Sequence, residues 1–187
     1  MGRRDGMEPK KTFASRRAAT RRLAFASVGC ALQVILLYLG ALLDVLDISV
    51  AALAAFVNVW AVIELRGAWP WLMWGVTSAV SLLLLPAKSP AVLYLLLAGY
   101  YPMIKSLLEK CHIVLSWVLK ILIFNVAMTL TILACMKLLG MSGDFEGIVL
   151  PLFYVIGNPA FVLFDVAATR LITAYLRVWR QKLHINV

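Results

Sequence analysis

At 187 residues the chain has the length of one domain, but 63% of it is hydrophobic, its mean hydropathy is +0.92 and its formal charge is +9. That apolar share is more than a water-soluble core can use, which excludes an ordinary soluble domain. The charge does not describe a nucleic-acid groove either, because most Lys and Arg fall in an N-terminal head, in short connections and at Arg177, Arg180 and Lys182.

The head, residues 1–22, carries Arg3, Arg4, Lys10, Lys11, Arg16, Arg17, Arg21 and Arg22 against Asp5 and Glu8, and reads as disordered. It runs into Leu23 to Leu43, interrupted only by Ser27, Gln33 and small residues. About twenty apolar residues at a rise of about 1.5 Å each match the hydrocarbon core of a bilayer. The positive head predicts a cytoplasmic N-terminus. Val28-Gly29-Cys30 faintly resembles a lipoprotein processing site, but the apolar run continues well past the cysteine and is long for a cleaved signal peptide.

Asp44 and Asp47 close this first span, and a second runs from Ile48 to Ile63, stopped by Glu64-Leu65-Arg66-Gly67. A third covers Trp69 to Leu85 and ends at Pro86-Ala87-Lys88-Ser89-Pro90. The fourth, Ala91 to Leu107, contains Gly99 and Pro102 and should kink. A fifth spans Ile113 to Leu139; the polar loop Gly140 to Gly147 follows, and then a sixth from Ile148 to Leu171, continued by a basic amphipathic tail. The expectation is an all-α, polytopic integral membrane protein of the plasma membrane. It would hold a six-helix transmembrane bundle over 23–172, a tail at 173–187 and both termini in the cytoplasm. Spans two and three are short enough that one could be re-entrant, or the pair a tilted hairpin, although the parity of the two basic ends argues against losing just one.

The inventory of reactive groups is thin. His112 and His184 both lie at cytoplasmic ends; Cys30, Cys111 and Cys135 show no C-x-x-C spacing; and no nucleophile elbow, zinc-protease motif or phosphate loop is present. The chain therefore reads as a non-enzyme with no metal and no cofactor. Charges in the spans need a reason, since they are costly in hydrocarbon. Glu64, Lys105, Lys120, Asp165 and Arg170 all fall toward the cytoplasmic side. They either pair and snorkel to fix packing, or form a network coupling a solute or partner to helix movement.

Toward the outer half lie Tyr38, Tyr94, Thr129, Thr131 and Tyr154, with Asn58, Asn125 and Asn158 near mid-depth. Such groups either hydrogen-bond a polar solute or tie helices together. Gly157-Asn158-Pro159 predicts a local break in the last span, and unwound backbone lining a cavity is a common substrate site in transporters. Tyr100-Tyr101-Pro102 marks the bend of span four, and Trp69, Trp71 and Trp74 suit an interfacial belt. Small residues crowd span one (Ala24, Ala26, Ser27, Gly29, Cys30, Ala31) and span two (Ala51, Ala52, Ala54, Ala55), giving flat faces for a neighbouring helix.

With this layout the chain resembles the substrate-binding S components of energy-coupling-factor vitamin transporters, from Arg16-Arg17-Ala18-Ala19-Thr20-Arg21-Arg22-Leu23 through the last span. The resemblance implies a six-helix fold that captures a small solute for a transmembrane coupling subunit driven by ATPases. An Ala-x-x-x-Ala pattern in the family's first helix contacts that subunit; its nearest equivalents here are Ala26 with Cys30 and Ser27 with Ala31. Substrate in the family lies in the outer half, which by position points to Tyr94, Asn125, Thr129, Tyr154 and Asn158. Two other readings stand beside it. One is a scaffold recruiting envelope or cytoplasmic partners; the other is a lipid-handling enzyme or flippase using Glu64, Lys105 and Asp165.

Overall fold

The computed structural model describes residues 8–43, 46–65, 67–110, 112–138, 140 and 149–179. The first residues of the basic head, Asp44, Cys111, His184, the polar loop beyond Gly140 and the tail residues Arg180 and Lys182 lie outside the described residues. Every element among the described residues is helical: α1 (Glu8–Leu43), α2 (Asp47–Glu64), α3 (Trp69–Leu84), α4 (Ser89–Leu93), a π-helical segment (Tyr94–Ala98), α5 (Tyr101–Leu108), α6 (Ile113–Leu138) and α7 (Val149–Ala174), which passes into a second π turn (Tyr175–Trp179).

Most of the head is not disordered, because α1 starts at Glu8 and runs unbroken for 36 residues. From Glu8 to Arg22 there is no glycine, the one proline sits in the first turn where it is tolerated, and Ala, Lys and Arg are strong helix formers. Among the described residues, five helical stretches are long and apolar enough to cross a membrane: Ala19–Leu43, Asp47–Glu64, Ser89–Leu108, Ile113–Lys137 and Val149–Arg177. The helix Trp69–Leu84 is apolar but has only 16 residues, a length of about 24 Å against a hydrocarbon core of about 30 Å. Leu23, Val28, Leu32, Ile35, Leu39 and Leu42 of α1 point outward, whereas Gln33, Asn58, Thr77, Lys105, Lys120 and Asp165 are buried. A surface this apolar around a polar interior suits lipid as solvent, not water.

α1 packs against both α2 and α3. The small-residue faces of the first two spans are spent largely on each other, with Ala51, Ala54, Ala55 and Ala61 of α2 at 0–1% exposure. One cluster joins Leu37, Ala41, Val50, Ala51, Ala54, Leu85, Ala91 and Tyr94, and a second, nearer the basic end, joins Ala26, Ala61, Leu65 and Met73. With little hydrophobic drive between helices in lipid, this close backbone approach supplies the dispersion contact that holds them.

The bend expected in the fourth span is an interruption. Pro102 has no N–H for the carbonyl a turn earlier, so the chain widens into the π segment, closed by Gly99 N–H donating to Tyr94 O at 2.7 Å, and restarts at Tyr101. Carbonyls released there are taken up from other helices: the Trp74 indole N–H donates to Leu95 O at 3.2 Å and the Asn58 amide to Gly99 O at 2.8 Å. Trp74, expected in an interfacial belt, is thus a packing residue. A Cβ at Gly99 would sit 2.7 Å from both the Trp74 ring and Tyr94 O. Gly99→Ala should destabilise the protein by about 1–3 kcal/mol, measured as a lowered thermal midpoint in detergent. Gly29→Ala, whose Cβ would crowd the end of the flexible Met73 side chain at 2.5 Å and meet Val57 at an ordinary 3.7 Å, should be far milder; equal losses would refute the close-approach argument.

The break expected at Gly157-Asn158-Pro159 does not occur, and α7 is helical through Pro159. The Asn158 side-chain amide donates to Tyr154 O at 2.9 Å and pairs with α6 on its other side, which steadies the turn that the proline weakens.

Candidate functional site: an apolar cavity above a buried ion cluster

Tyr94 belongs to an amide hub, not to an open site. Thr77 Oγ1 donates to Gln33 Oε1 at 2.7 Å, Gln33 Nε2 donates to Asn58 Oδ1 at 2.9 Å and to Ala54 O at 3.2 Å, and Asn58 Nδ2 donates to the Tyr94 hydroxyl at 3.0 Å. All four side chains are wholly buried, so α1, α2, α3 and the π segment share one satisfied network.

The other four candidates form a two-rung ladder between α6 and α7. Asn125 and Asn158 exchange amide hydrogen bonds at 2.9 and 3.2 Å, and the hydroxyls of Thr129 and Tyr154 meet at 2.8 Å. Of the five expected solute-contacting residues, the structure therefore brings Asn125, Thr129, Tyr154 and Asn158 together and places Tyr94 in a different contact. None of the five lines a cavity described here.

Nearer the basic end, Asp165 of α7 is 2% exposed and lies between two lysines. Lys105 of α5 contacts its Oδ1, Lys120 of α6 reaches its Oδ2 at 3.1 Å, and the Tyr101 hydroxyl donates to Oδ1. Glu109 completes the group, 2.8 Å from Lys105 and 3.6 Å from Lys120, and Thr169 Oγ1 accepts from Lys105 at 2.8 Å. Two cations and two carboxylates make the cluster neutral, which is how such charge is tolerated at depth. Of the expected inner network, Lys105 and Asp165 are joined here, with Lys120. Arg170 is exposed on α7 outside the cluster. Glu64 is buried at the end of α2, where it accepts a hydrogen bond from the Tyr175 hydroxyl at 3.1 Å.

Between α7 and the rest of the bundle lies a cavity of about 500 Å³. Its walls come from the start of α2 (Ile48 to Ala52), from Leu93 to Tyr101, from Phe124 and Met128 of α6, and from α7 between Val149 and Phe164. Aromatic rings make its floor: Phe124 stacks on Phe161 at 4.4 Å, and Tyr101 meets Phe161 edge-on at 5.0 Å and Phe164 at 5.8 Å. Among the lining residues only Ser49 and Tyr101 carry polar side-chain atoms, and the Tyr101 hydroxyl is committed to Asp165. Below the floor a second cavity of about 370 Å³ has mostly apolar walls, among them Val59, Ile63 and Ile172, and is also lined by Lys105, Ser106 and Glu109; Tyr101 and Phe164 border both spaces. Two rings thus lie between the upper chamber and a lower one that the lysine and carboxylate of the ion cluster reach. Of the lining phenylalanines, Phe161 shares the buried face of α7 with Asp165 and Ala168 at helical spacing, but that burial carries no mark in the sequence.

The expected docking positions divide between two faces. Ala26 is packed in the cluster with Ala61, Leu65 and Met73, and the Cys30 thiol lies 3.8 Å from Met73 O, so both face this chain's own helices. Ser27 and Ala31 are exposed, with Ser27 Oγ donating back to Leu23 O at 2.9 Å. No protein-family model, curated protein or solved structure matches the chain.

Proposed function

We propose that this protein is a membrane-embedded binding and transport subunit that captures a small solute from outside and releases it inward with a separate energising module, as the S components it resembles do. The observation that carries the reading is the 500 Å³ cavity between α7 and the bundle, which is within the usual range for ligand sites and lies toward the end away from the basic head. In this reading the short helix Trp69–Leu84 completes six crossings, both basic termini are cytoplasmic and the chain resides in the plasma membrane. Capture then occurs in the outer half, and the ion cluster below the Tyr101 and Phe164 partition holds the inner half of α7 while its outer half admits solute. Ser27 and Ala31, the exposed members of the four expected docking positions, offer a face for a coupling subunit.

The purified protein should gain thermal stability with one compound class from a panel of vitamins and vitamin-like solutes, and should co-purify with ATPase subunits from its native membrane. A flat panel together with co-purified envelope-assembly proteins would replace this reading with a scaffold. A lipid-handling role has one specific support, the apolar chamber set above a second cavity that Lys105 and Glu109 line. Loss of lipid translocation in reconstituted vesicles on substituting Lys105 and Asp165 would favour it.

A further inference from the structure

We infer that the apolar cavity is a binding site for one extended hydrocarbon chain, so that its ligand is a single-chain amphiphile lying along α7 with its tail on the Phe124, Phe161 and Tyr101 floor. This rests on reading the cavity as the capture site and names the class of molecule captured.

Shape argues for a chain. The lining follows α7 from Val149 to Phe164, about 22 Å at the helical rise. A volume of about 500 Å³ spread along that length makes the space elongated, with room for a methylene chain at carbon contact distances of about 4 Å. A fused-ring solute of the same volume would be shorter and broader.

Chemistry argues the same way. The Asn125–Asn158 and Thr129–Tyr154 pairs are satisfied by each other and do not line the space, and the Tyr101 hydroxyl is held by Asp165. Ser49, at the start of α2, is left as the polar side chain for a head group at the rim. A solute with several polar groups would lose their hydration without replacement partners. Water is no better an occupant, because an apolar space lacks the two to four polar partners a buried water needs.

The outer half of α7 supplies the way in. Leu152, Phe153 and Ile156 line the cavity yet remain 48%, 36% and 60% exposed, while Tyr154, Gly157 and Asn158 hold the same stretch of α7 against α6. The chamber is therefore continuous with surrounding hydrocarbon along α7. A tail entering from the bilayer exchanges one apolar environment for another and gains the contacts of the aromatic floor.

The test uses the full chain in phosphatidylcholine nanodiscs with 16-doxyl-stearate methyl ester, whose nitroxide would rest near the floor. The expected spectrum contains an immobilised component that saturates at one probe per protein and is displaced by unlabelled methyl palmitate. It should be lost in Ala160→Trp and in Ala52→Phe, which fill the chamber from opposite walls, and kept in Leu163→Trp, which points into lipid. Thermal midpoints matching the parent would show that the filled variants fold. An immobilised component that survives both filling variants, or that appears equally with chain-labelled phosphatidylcholine, would mark ordinary lipid at the protein surface and overturn the inference. Displacement by a ring-bearing vitamin but not by methyl palmitate would also overturn it while leaving solute capture standing. A saturable chain site in a protein that recruits no energising module would keep the chain assignment and remove the transport reading.

Discussion

Asp165→Ala should lower the thermal midpoint of the purified protein more than any other single substitution in the bundle, by about 3–5 kcal/mol or roughly 10 °C. The carboxylate is buried between Lys105 and Lys120 and accepts from Tyr101 as well. Its removal leaves two ammonium groups at depth with Glu109, whose side chain is 44% exposed, as their remaining counter-ion. The loss comes from stranding charge, not from the intrinsic worth of an ion pair, and that can be checked. Converting the set together, Asp165→Leu with Lys105→Met and Lys120→Met, removes charge and partner at once and should recover most of the midpoint. If the triple variant is no more stable than Asp165→Ala, the cluster holds the fold by some means other than charge compensation. Arg170→Ala, on the same helix but exposed outside the cluster, should shift the midpoint by no more than about 0.5 kcal/mol.

Asn58→Leu should be the second largest loss, about 3 kcal/mol, although leucine is close in size and more apolar. Asn58 accepts from Gln33 and donates both to the Tyr94 hydroxyl and to Gly99 O, the carbonyl beside the π segment. Single interhelical hydrogen bonds in membranes average well under about 1 kcal/mol because the unfolded state finds partners too. Here one side chain satisfies three groups that have no water to turn to, so the penalties accumulate. The readout that separates this from simple cavity or packing effects is a cycle with Gln33→Leu. Strong coupling between the two substitutions is expected, and additive losses would show that the hub is not a unit.

Much of the molecule was legible in the sequence because the bilayer sets a simple rule. Span ends such as Leu43, Glu64 and Trp69 follow from where apolar runs meet charge, proline or glycine, and the structure places helix ends within a residue or two of them. The interruption of span four was legible for the same local reason, a proline directly after a tyrosine pair. The head and Pro159 were misread in opposite directions. Helix propensity carries α1 back to Glu8 despite its charge, and the amide of Asn158 supports α7 where proline alone would suggest a break.

The candidate site was less legible. Asn125, Thr129, Tyr154 and Asn158 stand out in an apolar chain, and polarity drew attention to them, but their partners are one another. The cavity is lined instead by Phe, Leu, Ile, Met and Ala, residues indistinguishable in composition from those that face lipid. Whether such a residue meets a neighbour, a lipid or a void depends on how far α7 stands from α2 and α6, and no local pattern encodes that distance.

By itself, then, the sequence determined an all-helical chain, most of the places where helices begin and end, and the need for buried charges at Lys105, Lys120 and Asp165 to find partners, because length, propensity and the cost of charge in hydrocarbon act on residues one stretch at a time. Only the tertiary structure decided that those three meet at one carboxylate, that Gln33, Asn58, Thr77 and Tyr94 close a single hub, and that α7 leaves an apolar chamber open beside it. The physical reason is that partner choice and empty space depend on how helices distant in sequence pack, and in a medium as apolar as their own surfaces that packing is governed by shape and a few polar contacts.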